Sequence, residues 1–222
     1  MSANRLARLR ATLDRRQPDL RVVLDGVHKP HNLSAILRTC DAVGVHQAHA
    51  VVGGGRLDIQ RHCAAGAGQW IHTVTHSHVT EAIAAARDDG LRVYAAHASA
   101  EAMDFRRVDY TAPCAVLMGA ELCGVSGVAA DQADGHVVVP MAGLVESLNV
   151  SVAAAVILFE AQRQRQAAGH YDAPRLDPDC YRRTLFEWLH PRIAEHCRAQ
   201  GLDYPALDDD GDPIRSPSTD TT

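Results

Sequence analysis

Apolar positions along the chain fall in short blocks, and the period changes from block to block. Residues 20–24, 48–52, 71–75, 92–96, 115–118 and 136–139 form brief, mostly apolar runs, which predicts strands. Helical spacing appears between them. Residues 4–16 put Leu6, Leu9 and Leu13 on one side and arginines on the others. Residues 33–43 put Leu33, Ile36, Leu37 and Cys40 on one stripe and Ser34, Arg38 and Asp41 on another. Asn32 reads as the N-cap of this helix and Gly44 as its stop. Residues 57–67, 79–88 and 126–133 predict further helices. Short strands alternating with helices imply an α/β fold, with a parallel sheet covered on both faces. Ligands in such sheets bind beyond the carboxyl ends of the strands. Gly119, Glu121, Met141 and Ser147 all lie at such ends.

The stretch 139–160, VPMAGLVESLNVSVAAAVILFE, departs from alternation. It leaves a strand, turns through Pro140 and Gly143, offers Ser147 and Asn149, and then runs apolar on almost every side. A helix without a polar face is buried inside a molecule or at a subunit contact. One that opens on hydroxyl and amide side chains presents unpaired backbone N–H groups to a polar ligand. Ser147 could act as a nucleophile, but its residue pattern favours a simple N-cap. After Glu160 the pattern turns polar through Gln162, Arg163, Gln164, Arg165 and Gln166, and stops at Gly169. Residues 176–200 hold more helical segments, with Leu185, Trp188, Leu189 and Ile193 as packing positions.

Composition narrows this picture. A chain of 222 residues with 46% hydrophobic side chains is not wholly disordered, and is long enough for one domain with extensions. The expected division is a basic helix over 1–17, a main domain over 18–169, a helical extension over 170–204 and an acidic, disordered tail over 205–222. No apolar run reaches about 18 residues, so no membrane span is expected. The basic start has no apolar stretch behind it and does not read as a secretory signal. Six cysteines without a CxxC pair fit free thiols in a cytoplasmic setting, with no disulfide or zinc site.

The net charge of −5 misleads, because Asp208, Asp209, Asp210, Asp212 and Asp220 concentrate acid in the tail. Arginine clusters at the front, and Lys29 is the only lysine. The planar guanidinium fork suits phosphate, so the cluster points toward RNA; a solvated helix face is the plainer alternative.

Candidate chemistry is sparse on residue patterns alone. Gly53-Gly54-Gly55 follows a strand, but Asp58 breaks GxGxxG, and no Walker lysine exists. The histidine pairs His28/His31, His46/His49 and His76/His78 lie outside any HExxH, which favours scattered histidine over a metal centre. No GxSxG elbow is present. Arg38 can pair with Asp41 one turn away, and Glu121 can cap the following helix, so both have structural readings.

Three segments together change the balance. HKPHNLSAILRTCDAVGV (28–45), LMGAELCGVS (117–126) and the 139–160 stretch closely resemble the three motifs of the SpoU, or TrmH, branch of the SPOUT methyltransferases, in the same order and spacing. The resemblance extends over most of residues 5–180. It implies a C-terminal trefoil knot, which ordinary topology rules exclude, and a homodimer with the site completed across the interface. It implies S-adenosylmethionine as cofactor, bound by Ala96, Gly119, Val139, Met141, Ser147 and Leu148. It also implies 2′-O-methylation of guanosine 18 in the D-loop of tRNA, with Arg38, Asn32, Glu121, Ser147 and Asn149 in the catalytic set. Arg38 is then either a transient base or a holder of phosphate that stabilises the alkoxide. Arg5, Arg8, Arg10, Arg15, Arg16, Arg163, Arg165 and Arg175 are the expected tRNA contacts.

Overall fold

The computed structural model describes residues 3–52, 68–121 and 123–214. The triple glycine, the helix expected over 57–67 and Cys63 lie outside the described residues. The chain divides into two units, one of residues 17–171 and one joining the segment up to Arg16 with that from Asp172 onward.

The larger unit is built on a sheet. Its strands are β1 (Leu20–Asp25), β2 (Gln47–Val51), β3 (His72–His76), β4 (Arg92–Ala96), β5 (Met103–Asp104), β6 (Cys114–Gly119) and β7 (Gly135–Val138). They run in the order β3-β2-β1-β6-β4-β7-β5, and every paired neighbour is parallel. Alternation along the strands sends side chains to two separate cores. Val22, Leu24, Val116 and Met118 join one core with Leu33, Ile36 and Leu37 of α2 (Pro30–Ala42) and Ala154, Ile157 and Leu158 of α5 (Val150–Ala167). Val23, Ala115 and Leu117 join the other, with Ala82 and Ile83 of α3 (Val79–Asp88) and Ala129 and Ala130 of α4 (Gly127–Gln132). The sheet is thus covered on both faces, as parallel sheets require.

The short β5 was not among the expected strands. Two residues carry too little periodicity to be seen. Its presence alters the topology, since β7 lies between β4 and β5, so the 97–102 link crosses the line of β7.

Two caps also differ from expectation. α2 begins at Pro30, with extended Lys29 (φ −67°, ψ 119°) at the cap position, and Asn32 is buried inside the first turn. Proline presets the helical φ and removes an N–H that would have had no partner there, so it displaces Asn32 from capping. The N-cap of α5 is Asn149 rather than Ser147, its Oδ1 accepting the Ser151 N–H at 2.9 Å and the Ser151 hydroxyl at 2.6 Å.

The smaller unit comprises α1 (Ala3–Leu13), α6 (Pro178–Leu189) and α7 (Pro191–Gln200). Leu6, Leu9 and Leu13 of α1 are buried, and the Tyr181 hydroxyl donates to Asp14 at 2.9 Å. Ile193, expected to pack, is 40% exposed. The expected disorder does not extend over 205–214. Leu207 and Pro213 form an antiparallel bridge, and Asp208 accepts the N–H groups of Asp210 (3.0 Å) and Asp212 (2.8 Å). The Gly211 carbonyl lies 2.7 Å from the ring nitrogen of His190. Gly211 has a positive φ of 80°, and a Cβ there would meet Leu6 and Leu189. Aspartate here organises its own turn, which a composition argument misses.

Candidate active site

Strand β6 ends at Gly119 and folds straight back. The Ala120 N–H donates to the Gly124 carbonyl at 2.9 Å and the Gly124 N–H to Ala120 at 2.8 Å. Gly124 has φ +66°, and a Cβ on Gly119 would lie 2.1 Å from the backbone of Gly124. Only glycine lets the two strands of this loop approach so closely. The turn is held from β1, where Asp25 accepts the Ser126 N–H at 2.9 Å. Ser126, not Glu121, caps α4. Glu121 is therefore free for another use, carried just past the carboxyl end of a central strand.

Its carboxylate is the hub of a polar cluster. Oε1 accepts from the side-chain amides of Asn32 and of Asn149, the latter at 2.7 Å, and Oε2 accepts from Lys29 Nζ. The two amides also meet, Asn149 Nδ2 donating to Asn32 Oδ1 at 3.3 Å. Asn149 thus spends its oxygen on capping α5 and its nitrogen on the cluster. Three elements far apart in sequence converge on one carboxylate: the start of α2, the loop after β6 and the cap of α5. Sequence reasoning reached Asn32, Glu121 and Asn149 but missed Lys29, whose signal was its status as the only lysine in an arginine-rich chain.

Arg38 stands apart. It lies six residues beyond Asn32 on α2, about 9 Å along the axis and on a different face. It is exposed, and no hydrogen bond or ion pair joins it to the cluster among the described residues. With His31, Ser34, Ala35, Thr39, Ala42 and Phe159 it lines an open groove of about 510 Å³. Phe159, and Val152 two turns before it on α5, are each about half exposed, at 49% and 48%. The apolar helix therefore buries one side and presents the other. Ser147 is exposed too, on the loop leading to Asn149, where Leu144 and Val145 also face outward.

Of the expected cofactor positions, Ala96 and Gly119 end β4 and β6, Val139 directly follows β7, and Ser147 and Leu148 lie on the loop before Asn149. β6, β4 and β7 are neighbours, Ala96 is paired with Val137, and the His97 N–H donates to the Val137 carbonyl at 3.2 Å. Ala96 and Val139 are partly buried against the core, and Met141 follows on the same loop. Gly119 is buried against the returning Gly124 backbone.

Arg5, Arg8, Arg10, Arg15 and Arg163 are exposed and Arg175 is half-buried, Arg163 being paired with Glu160 at 2.7 Å. Two of the arginines expected to grip phosphate are not available for it. Arg16 is fully buried, its guanidinium 5.2 Å above the Trp188 ring. Arg165 is fully buried as well, donating to Asp19 at 2.6 Å, to Gln17 at 3.1 Å and to the carbonyls of Tyr110, Asp19 and Ala112. Arginine is almost never enclosed in this way without a full set of partners, and here it ties the end of α5 to the segments before β1 and β6.

Elsewhere, His49 of β2 and His76 of β3 stack with ring centroids 5.1 Å apart and facing nitrogens at 2.8 Å. Burial first, then the charges of Arg21 and His76, holds the His49 imidazole down at about 4. Among the described residues no three histidine, cysteine, aspartate or glutamate side chains are grouped to hold a metal ion.

Comparison with known proteins follows the same motifs. The family model of the SpoU rRNA methylases matches residues 19–159, and that of the SpoU rRNA methylase C-terminal region matches 163–216. The tRNA (guanosine(18)-2′-O)-methyltransferase of Thermus thermophilus is 55% identical over 185 residues, covering 83% of this chain and 95% of its own. Among solved structures, the Aquifex aeolicus TrmH/SpoU tRNA modifying enzyme superposes with a TM-score of 0.79 at 39% identity, covering 86% of this chain and 97% of the other. An AdoMet-bound rRNA methyltransferase from Sinorhizobium meliloti superposes with a TM-score of 0.58 at 32% identity, covering 70% and 59%.

Proposed function

The chain belongs to the SpoU methylase family, and on that premise we propose that it methylates the ribose 2′-oxygen of guanosine 18 in the D-loop of tRNA, using S-adenosylmethionine. The observation that carries this reading is the carboxylate of Glu121 drawing Asn32 and Asn149 together at the carboxyl end of β6, beside the strand ends expected to take the cofactor. When bound, S-adenosylmethionine supplies the methyl group on its sulfonium. Ala96, Gly119, Val139, Met141, Ser147 and Leu148 would hold it, as backbone and apolar contacts at the ends of β4, β6 and β7.

The remaining chemistry falls to side chains. A ribose hydroxyl is a very weak acid, so the emerging oxyanion needs a positive group or its proton needs an acceptor. Arg38 supplies the charge: its guanidinium stays protonated in water, so it holds the adjacent phosphate and stabilises the alkoxide while water takes the proton. Asn32, Glu121, Ser147 and Asn149 orient the site around it.

Within one chain Arg38 lies on a different face of α2 from Asn32, which supports a site completed by a second copy. Arg38 of the partner subunit reaches the Glu121 cluster of the first. The half-exposed Phe159 and Val152 on α5, next to the Arg38 groove, support this homodimer. The position of β7 between β4 and β5 supports a knotted path for the C-terminal part of the sheet. No helix is long and apolar enough to cross a membrane among the described residues, and a tRNA substrate supports a cytoplasmic location.

Incubation with labelled S-adenosylmethionine and bulk tRNA, followed by nuclease digestion and mass mapping, tests the reading. Label in 2′-O-methylguanosine at position 18 is the expected result. Label confined to a base nitrogen, or none at all, would overturn it.

A further inference from the structure

We propose that Lys29 is a positioning residue for the methyl transfer: it sets the orientation of the Glu121 carboxylate, and through it the two asparagine amides. This rests on the functional reading above. The contact joins Lys29 Nζ to Glu121 Oε2, the oxygen that the asparagines leave open. Exposure of the two side chains is 55% for Lys29 and 17% for Glu121. With its lysine end in solvent the pair contributes modestly to stability, and its main value lies in geometry.

The terminal torsion of a glutamate is broad and roughly two-fold, and nothing intrinsic fixes which oxygen faces which donor. Two amides on Oε1 alone would leave the carboxylate able to turn and share its oxygens between them. An ammonium on Oε2 holds the plane and balances a charge that otherwise has only neutral donors. Lys29 is itself well placed to do this. It precedes Pro30, which confines its backbone to extended conformations, and it enters α2 in the same turn as Asn32. One short segment thus aims both a cation and an amide at one carboxylate.

Lysine also differs from arginine here. A guanidinium fork takes both oxygens of a carboxylate side by side and would compete with Asn32 and Asn149 for Oε1, whereas an ammonium donates to one oxygen as a point charge. In a chain whose every other fixed cation is arginine, this is the position where a fork is unsuitable.

The single lysine provides its own probe. Reductive ¹³C-methylation of the whole protein labels Lys29 and the α-amino group, and Lys29→Met identifies which signal is which. The Lys29 signal is expected to move in Glu121→Gln. If it does not, the pair does not exist in solution and the proposal fails, whether or not the protein methylates tRNA. In steady-state assays, Lys29→Met is expected to lower kcat between about tenfold and about a hundredfold, with KM for cofactor and tRNA within about twofold, as a displaced reacting group would. Lys29→Arg is expected to recover only part of that loss. An unchanged kcat, full recovery by arginine, or a raised KM for tRNA with kcat intact would each overturn the proposal, the last by making Lys29 an RNA contact. If Lys29→Met fails to fold by circular dichroism, the methyl signal of the wild type against Glu121→Gln decides alone. A wild-type protein that transfers no methyl group sinks the functional reading and leaves the Lys29–Glu121 geometry to that same spectrum.

Discussion

Arg163 and Arg165 sit two residues apart on α5 and looked alike as candidates for phosphate, yet their surroundings give them opposite work. Arg165 is enclosed by Asp19, Gln17 and three carbonyls, while Arg163 is exposed beside Glu160. Removing one partner of a buried pair leaves the others unsatisfied. Arg165→Met should therefore cost about 3 kcal/mol, at the low end for broken buried pairs because Asp19 keeps some exposure. Urea unfolding should show the midpoint falling with an unchanged slope. Arg163→Ala should move the midpoint by no more than about 0.5 kcal/mol. Equal losses for the two variants would contradict this assignment. Sequence could not separate them, because a two-residue offset on a helix turns the side chain by more than half a turn while composition stays the same. Asn32 shows the reverse case. The residue pattern read it as a cap and only the family resemblance put it in the site, since the preference for asparagine at N-caps is local, whereas the contact with Glu121 spans 89 positions.

At the level of elements, the expected strands and helices within the described residues were legible because their periods differ, and the parallel sheet followed from their alternation. Strand order was not legible. Nothing in the local pattern of residues 135–138 says that they insert between β4 and the two-residue β5 rather than extending an edge. The pairing of β2 with β3 creates another property invisible to local reading, the contact between His49 and His76. In the folded chain His49 stays neutral down to about pH 4, whereas its ordinary value is 6.5. The unfolded state then binds more protons between those values, so this contribution to stability is present above about pH 6.5 and is lost as pH falls toward 4. His76, also held low by burial, acts in the same direction. Melting temperatures at pH 7 and pH 5 should show a larger drop for the wild type than for His49→Asn, which has no proton to gain. Parallel drops would remove His49 as the source.

For the whole molecule, charge is arranged so that the net value of −5 says little about what binds. Acid is concentrated in the tail, part of which folds into a turn of its own, and arginines line the exposed side of α1. The smaller unit joins the two ends of the chain, with Asp14 meeting Tyr181 and Arg16 meeting Trp188, so one arginine of the N-terminal cluster becomes a core residue while its neighbours remain outside. This separates two effects that a simple count of arginines would merge. Each phosphate contact that releases counterions contributes roughly 0.7 to 0.9 to the slope of log affinity against log salt. Arg8 and Arg10 are exposed, so replacing both with alanine should flatten that slope by roughly 1.4 to 1.8 while leaving the melting temperature nearly unchanged. Arg16→Met should do the opposite, lowering the melting temperature while the slope holds, because its guanidinium lies over an indole ring rather than in solvent. Titration of labelled tRNA between 50 mM and 200 mM salt, with roughly a thousandfold or greater fall in affinity expected if six or more contacts are made, measures all three proteins on one axis. An unaltered slope for the Arg8/Arg10 double variant would take α1 out of the RNA interface and shift the search for phosphate contacts to Arg163 and Arg175.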